Sequence, residues 1–122
     1  MKGILIIAHG SRAKETETTL ENIIETVKEK LPETIIEIAF MEFSDRTVER
    51  GISALAAKGI TEIKIVPYFL FMGIHLKEDI PNMAEESAKK HPNIKITMAA
   101  PLGTDKRLAE IIIDRIVTDY CR

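Results

Sequence analysis

Ile4-Leu5-Ile6-Ile7-Ala8-His9-Gly10-Ser11-Arg12 is a short apolar run that gives way at once to an imidazole, a glycine, a hydroxyl and a cation. An apolar run without polar alternation suits a strand buried on both faces, and such strands belong to parallel sheets. Working outward, Leu20, Ile23, Ile24, Val27 and Leu31 recur at helical spacing among charged residues. They predict a one-sided helix that Pro32 ends.

The strand–helix pattern then repeats. Thr34 to Phe40 reads as the second strand, with Met41 to Phe43 as its exit loop and Ser44 as the expected N-cap of the next helix. Val48, Ile52, Leu55 and Ala56 stripe that helix, and Gly59 stops it. Ile63 to Val66 is the third strand, which Pro67 should end because it has no amide hydrogen for a ladder. Tyr68 to Lys77 reads as a loop. Ile80, Met83, Ala84 and Ala88 mark the third helix, with Asp79 as N-cap and Pro81 in its first turn. Ile94 to Met98 alternates like an edge strand, and Pro101 to Thr104 turn the chain. Leu108, Ile111, Ile112 and Ile116 stripe the last helix, and Ile113, Val117 and Tyr120 widen the stripe. So broad an arc predicts a deeply packed helix in preference to a subunit contact. The expected fold is α/β: a four-stranded parallel sheet of order 2-1-3-4, flanked by helices on both faces, in a single domain over residues 1–122.

The apolar share of 45%, the charged share of 30% and the net charge of −2 are those of a soluble globular domain, with no basic footprint for a nucleic acid. No apolar run is long enough to span a bilayer and no signal-peptide pattern precedes the first strand. A cytoplasmic location is the expectation. The single cysteine, Cys121, is read as an incidental thiol.

Function is sought at the carboxyl ends of the strands, where strand order reverses. In the expected order that point lies between strands 1 and 3. His9 leaves strand 1, His75 follows strand 3, and Glu42 follows strand 2 beside strand 1. Two imidazoles and a carboxylate suit zinc, iron, cobalt or nickel with open positions, whereas magnesium or calcium would want oxygen ligands. His91, before Pro92, reads as a helix-end histidine. The stretch Tyr68, Phe69, Leu70, Phe71, Met72, Gly73, Ile74 is oddly apolar for a loop. It would line a flat apolar ligand, form a subunit contact, or simply continue strand 3 into the core. Gly73 would let the backbone turn or approach a ligand closely.

Ala8-His9-Gly10-Ser11-Arg12, Met41-Glu42-Phe43-Ser44, Val66-Pro67-Tyr68-Phe69-Leu70, Gly73-Ile74-His75, Asp79-Ile80-Pro81 and Pro101-Leu102-Gly103 together resemble the short CbiX-type sirohydrochlorin chelatases over nearly the whole chain. The resemblance implies a chelatase-like fold and insertion of cobalt, nickel or iron into sirohydrochlorin. The family's metal-binding histidines match His9 and His75, with His9 also the proton acceptor, and Glu42 matches an acidic residue associated with the metal in longer relatives. Ser11, Arg12, Asp45 and the stretch Leu70, Phe71, Met72, Gly73, Ile74 and His75 would contact the substrate. The divalent metal is a substrate, and no organic cofactor is implied. Relatives associated with nickel often carry a histidine-rich insertion before the fourth strand. Here only His91 to Asn93 stand there, which leans towards cobalt and cobalamin synthesis. Short members work as homodimers, and one small domain offers a wide ring only one wall.

Insertion exchanges two pyrrole protons for one divalent ion, and a pocket that bends the ring would expose its lone pairs. Arg12, Arg46 and Lys77 are candidates to meet the ring's carboxylates. Two rivals stand beside this reading. A histidine phosphatase would want an arginine directly before the histidine, where Ala8 stands. A non-enzymatic metal-binding module would use the same ligands without turnover.

Overall fold

The computed structural model describes residues 1–119. Tyr120 and Cys121 lie outside the described residues. Eight elements alternate: β1 (Lys2–Ala8), α1 (Glu15–Lys30), β2 (Ile35–Phe40), α2 (Val48–Ala57), β3 (Glu62–Pro67), α3 (Ile74–Ala88), β4 (Lys95–Met98) and α4 (Lys106–Val117). The strands form one sheet in the order β2-β1-β3-β4, all parallel. β1 is therefore central, with Ile7 opposite Ala39 on one side and Pro67 on the other.

Each face of the sheet has its own core. On one, Leu5, Ile7, Ala39, Ile63 and Ile65 meet Val48, Ile52 and Leu55 of α2 and Ile80 and Ala84 of α3. On the other, Ile6, Ala8, Ile36, Ile38 and Phe40 meet Leu20 and Ile24 of α1. This is the packing that continuous apolar strands predict, with apolar residues of β1 packed on both faces.

Four local expectations are corrected. Ser44 does not cap α2. Its Oγ accepts from the Arg46 amide at 3.0 Å, and the Phe40 amide donates to Arg46 O at 2.7 Å. The chain thus closes a turn against the strand end before a helix can start. Thr47 is the cap, accepting from the Arg50 amide at 3.2 Å. Pro67 does not fall beyond β3 but is its last, buried residue. The Tyr68 amide donates to Ile7 O at 2.7 Å and the Ala99 amide donates to Ile65 O at 2.8 Å. By the alternation of a parallel ladder, the proline nitrogen therefore faces the β4 side, where the edge strand is ending.

Third, α3 starts at Ile74, so Asp79 is not its cap and Pro81 lies inside the helix. Leu76, Ile80, Met83 and Ala84 form one stripe against the core, and that burial outweighs the bond to Lys77 O that proline cannot make. Fourth, α4 is not deeply packed. It has no buried residue, and Ile112, Ile113, Ile116 and Val117 are each more than half exposed. As expected, Gly59 stops α2: it sits at φ +83°, with its amide on Ala56 O and the Ile60 amide on Leu55 O.

Ile52 is fully buried between α2 and the sheet. Ile52→Ala should cost about 2–5 kcal/mol in urea unfolding, and a loss under about 1 kcal/mol would refute this seating of α2. At the start of α4 the Asp105 carboxylate accepts from the Arg107 guanidinium and then from its backbone amide, which together hold its pKa well below the usual range. A lowered pKa means the cap is in full force above about pH 4, the ordinary carboxylate value, and is lost as pH falls through the lowered one. Amide exchange in the first turn of α4 should accelerate only in that acid window, and Asp105→Asn should abolish the pH step.

Candidate functional site

The ends of β1 and β2 do not separate at once. The Met41 amide donates to Ala8 O at 3.0 Å and the Glu42 amide to His9 O at 3.1 Å, extending the pairing two residues past the strands. Gly10 makes this approach possible. Its φ is +96°, and a Cβ there would lie 2.0 Å from Glu42 O. Only glycine tolerates both the left-handed backbone and that proximity. His9 and Glu42 are thereby held side by side, with Nε2 and Oε1 2.7 Å apart. Both side chains are about half exposed, 60% and 48%. They can exchange a proton or a ligand with solvent, and an exposed pair of this kind adds little stability.

Phe69 presents an edge-on ring to His9, with centroids 6.5 Å apart and planes at 88°. The loop around it divides in two. Phe69 and Met72 pack on the core, while Leu70, Phe71 and Ile74 are exposed, at 51%, 84% and 77%. The apolar stretch is therefore part core and part a bare apolar rim at the sheet edge. Gly73 caps α3 at φ −70°, ψ 176°, with open space where a Cβ would stand. No turn here demands a glycine, contrary to expectation.

His75 lies on the same edge, exposed in the first turn of α3 rather than in a loop. It is not gathered with the other two: among the described residues no three His, Cys, Asp or Glu side chains stand close enough to hold a metal ion. The expected three-ligand set is thus present as a pair, His9 with Glu42, and a third residue apart from it.

Two cavities flank the pair. One of about 430 Å³ is lined by His9, Gly10, Tyr68 and, from α1, Glu15, Thr16 and Thr19. The other, about 370 Å³, is lined by Ser11, Arg12 and Asp45 with Lys14, Glu17 and Phe43. Ser11, Arg12 and Asp45 thus share one cavity. The Arg12 guanidinium lies 5.2 Å from the Phe43 ring centroid, and Phe43 sits at φ +59°. Ser11 Oγ accepts from the Ala13 amide at 3.1 Å. Arg46 is instead engaged by Glu21, with Glu17 at 4.0 Å, so it is a poor candidate for a ring carboxylate. Lys77 makes no ion pair among the described residues.

Sequence reasoning missed Phe43 as a cavity residue and the α1 residues Glu15, Thr16 and Thr19. It singled out Tyr68 and Phe69 within the apolar stretch, but which ring turns towards His9 is set by backbone direction that periodicity does not show. Glu15, Thr16 and Thr19 had a positional signal, since they open the helix that follows the switch-point turn.

A parallel sheet of order 2-1-3-4 with an imidazole–carboxylate pair at its switch point defines a chelatase-like α/β protein. Comparison with known proteins is specific: residues 3–119 match the family model CbiX, and the chain belongs to the CbiX family. It is similar to a sirohydrochlorin ferrochelatase of Priestia megaterium, 34% identical over 95% of this chain and 44% of that one. It is similar also to a sirohydrochlorin cobaltochelatase of Methanopyrus kandleri, 34% identical over 95% of both chains. The sirohydrochlorin chelatase SirB of Bacillus subtilis subspecies spizizenii, solved in complex with cobalt, superposes with a TM-score of 0.86 at 31% identity, over 94% of this chain and 49% of that one. The chain spans about half the length of the first curated relatives it matches.

Gly10→Ala should push Glu42 away and open the His9–Glu42 contact beyond 3.5 Å while leaving the sheet intact. A crystal structure of the variant with the contact unchanged at 2.7 Å would refute the role assigned to this glycine.

Proposed function

We propose that this chain, acting as one domain in the cytoplasm, inserts a divalent metal ion into sirohydrochlorin, and that the ion is cobalt, on the anaerobic route to cobalamin. The observation that carries the reading is the His9–Glu42 pair at the switch point, beside the bare apolar rim of Leu70, Phe71 and Ile74. The names of the relatives above support the ring as substrate. The short connection between α3 and β4, residues 89–94, has no histidine-rich insertion and supports cobalt over nickel.

The chemistry follows from the pair. Nε2 and Oε1 are close enough to share a proton. An ion held by both at about 2.1 Å would need them about 3.0–3.4 Å apart for ligand angles between octahedral and tetrahedral, a modest widening. The pair therefore holds either a metal ion or protons. Handing the ion to the ring frees one lone pair on His9 and one on Glu42. These take up the two pyrrole protons that the ion displaces, so charge at the pair is conserved: a dication leaves and two protons arrive. A neutral imidazole is suited to take the first proton near neutral pH, and the carboxylate stabilises that imidazolium until it takes the second proton itself. His75 stands apart from the pair and would have to move towards it from α3 to join the metal's coordination. The exposed rim would hold the macrocycle's face, with Arg12 and Lys77 meeting its carboxylates, and a second copy of the chain would supply the other wall.

The test is an anaerobic absorbance assay with sirohydrochlorin and Co²⁺, Ni²⁺ or Fe²⁺ in separate cuvettes. Wild type should accelerate insertion, fastest with Co²⁺. His9→Ala and Glu42→Gln should each lower the rate by about 10²-fold or more, as expected for loss of a proton-transfer group, and His75→Ala should lower it substantially. Rates equal to wild type in His9→Ala and His75→Ala would remove the site. Tight metal binding with no acceleration would mark a metal-carrying module instead.

A further inference from the structure

The loops that leave β1 and β2 are clasped twice. The first clasp is the backbone pairing through His9 O, on one side of Gly10. The second lies on the other side of Gly10, where the Arg12 guanidinium sits over the Phe43 ring, 5.2 Å from its centroid. Among the described residues that guanidinium makes no ion pair, so the ring is what orients it. Phe43 is half exposed and joins neither core layer. Burial therefore does not account for an aromatic ring at this position.

Phe43 is also the one residue other than glycine with a positive φ among the described residues, +59°. A side chain with a Cβ is disfavoured there by roughly ten-fold, and a bulky one stays only where its surroundings enforce it. Both flanks of Phe43 are tied down. Before it, the Met41 and Glu42 amides are bonded to the end of β1. After it, Ser44 Oγ accepts from the Arg46 amide, the Phe40 amide donates to Arg46 O, and Asp45 O accepts from the Thr47 amide and the Arg50 guanidinium. Phe43 is the joint between these two fixed halves. Glu42 is turned towards His9 and the next side chain towards Arg12. A return of φ to negative values would rotate the peptide that joins the two residues and carry the carboxylate off the imidazole.

We propose that Arg12 and Phe43 are positioning residues for Glu42: the guanidinium holds the ring, the held ring keeps the left-handed turn, and the turn aims the carboxylate at His9. A guanidinium on a ring face keeps its N–H donors in its own plane, so the clasp leaves Arg12 able to meet a carboxylate as well. The inference rests on the metal-holding reading of the His9–Glu42 pair proposed above and adds what keeps that pair closed.

Arg12 is a cation three residues from His9, so by charge alone its removal should tighten the binding of a dication. The clasp predicts the opposite sign. Two quantities are measured on the full chain: Co²⁺ affinity by calorimetry, and exchange of the Glu42 amide, the donor to His9 O, by NMR with neither metal nor ring present. Arg12→Ala and Phe43→Ala should each weaken Co²⁺ binding by about two- to five-fold, the effect of an exposed cation–π contact, and speed Glu42 exchange by a similar factor. The double variant should be no weaker than either single one. Phe43→Tyr should keep the affinity, and Phe43→Leu, which has bulk without a π face, should not. Binding of Co²⁺ to Arg12→Ala as tight as to wild type, or tighter, overturns the proposal. So do additive effects in the double variant, or a leucine variant that binds like wild type. Faster exchange with unchanged affinity would show a clasp that does not position Glu42, which also overturns it. A wild type without Co²⁺ affinity would sink the metal-holding reading instead, and the exchange rates would then decide the clasp, with unaltered rates in both single variants overturning it.

Discussion

The structure depends on β1 being paired on both sides. A central parallel strand must be apolar on both faces, because helices cover each, and it must send its neighbours' chains out at its own carboxyl end. β2 and β3 flank β1, so the exits of all three strands meet at one edge. His9, Glu42 and His75 stand at that edge. The extension of the β1–β2 pairing through His9 O, made possible by a residue without Cβ at position 10, converts that general proximity into a 2.7 Å contact.

That contact contributes little to holding the fold together. Stability comes from the two apolar layers, where Leu5, Ile7, Ile52, Leu55, Ile63, Ile65 and Ile80 are essentially excluded from water. The separation is useful physically. A pair half open to solvent can be loaded, emptied and protonated without disturbing the core, whereas a buried ion pair would resist each change of charge. The apolar loop after β3 shows the same division within a few residues: Phe69 and Met72 anchor it and Leu70 and Phe71 remain available.

The unequal covering of the two faces is the other organising feature. Right-handed crossovers put α2 and α3 on one face because both connections step the same way along the sheet, and α1 on the other because it steps back. A last helix after an edge strand has no strand to return to, so connectivity leaves its position free. Five of its apolar residues stay exposed, and the groove beside α1 stays open.

Much of this was legible from residues alone. The unbroken apolar run of β1, the helical spacing of Leu20, Ile24 and Val27, and the stop at Gly59 determine strands, helices and the parallel order, because burial on two faces and on one face leave different periods. The placement of His9 and Glu42 in exit loops followed from that order. Tertiary structure decided the rest. Leu76 joins the stripe of α3 and draws the helix back to Ile74 past a proline, because core burial outweighs one lost hydrogen bond. The approach of Gly10 to Glu42, the turn of Phe69 towards His9 and the exposure of α4 depend on contacts between segments distant in the chain. Periodicity records which residues seek burial, but only the assembled sheet decides which of them find it.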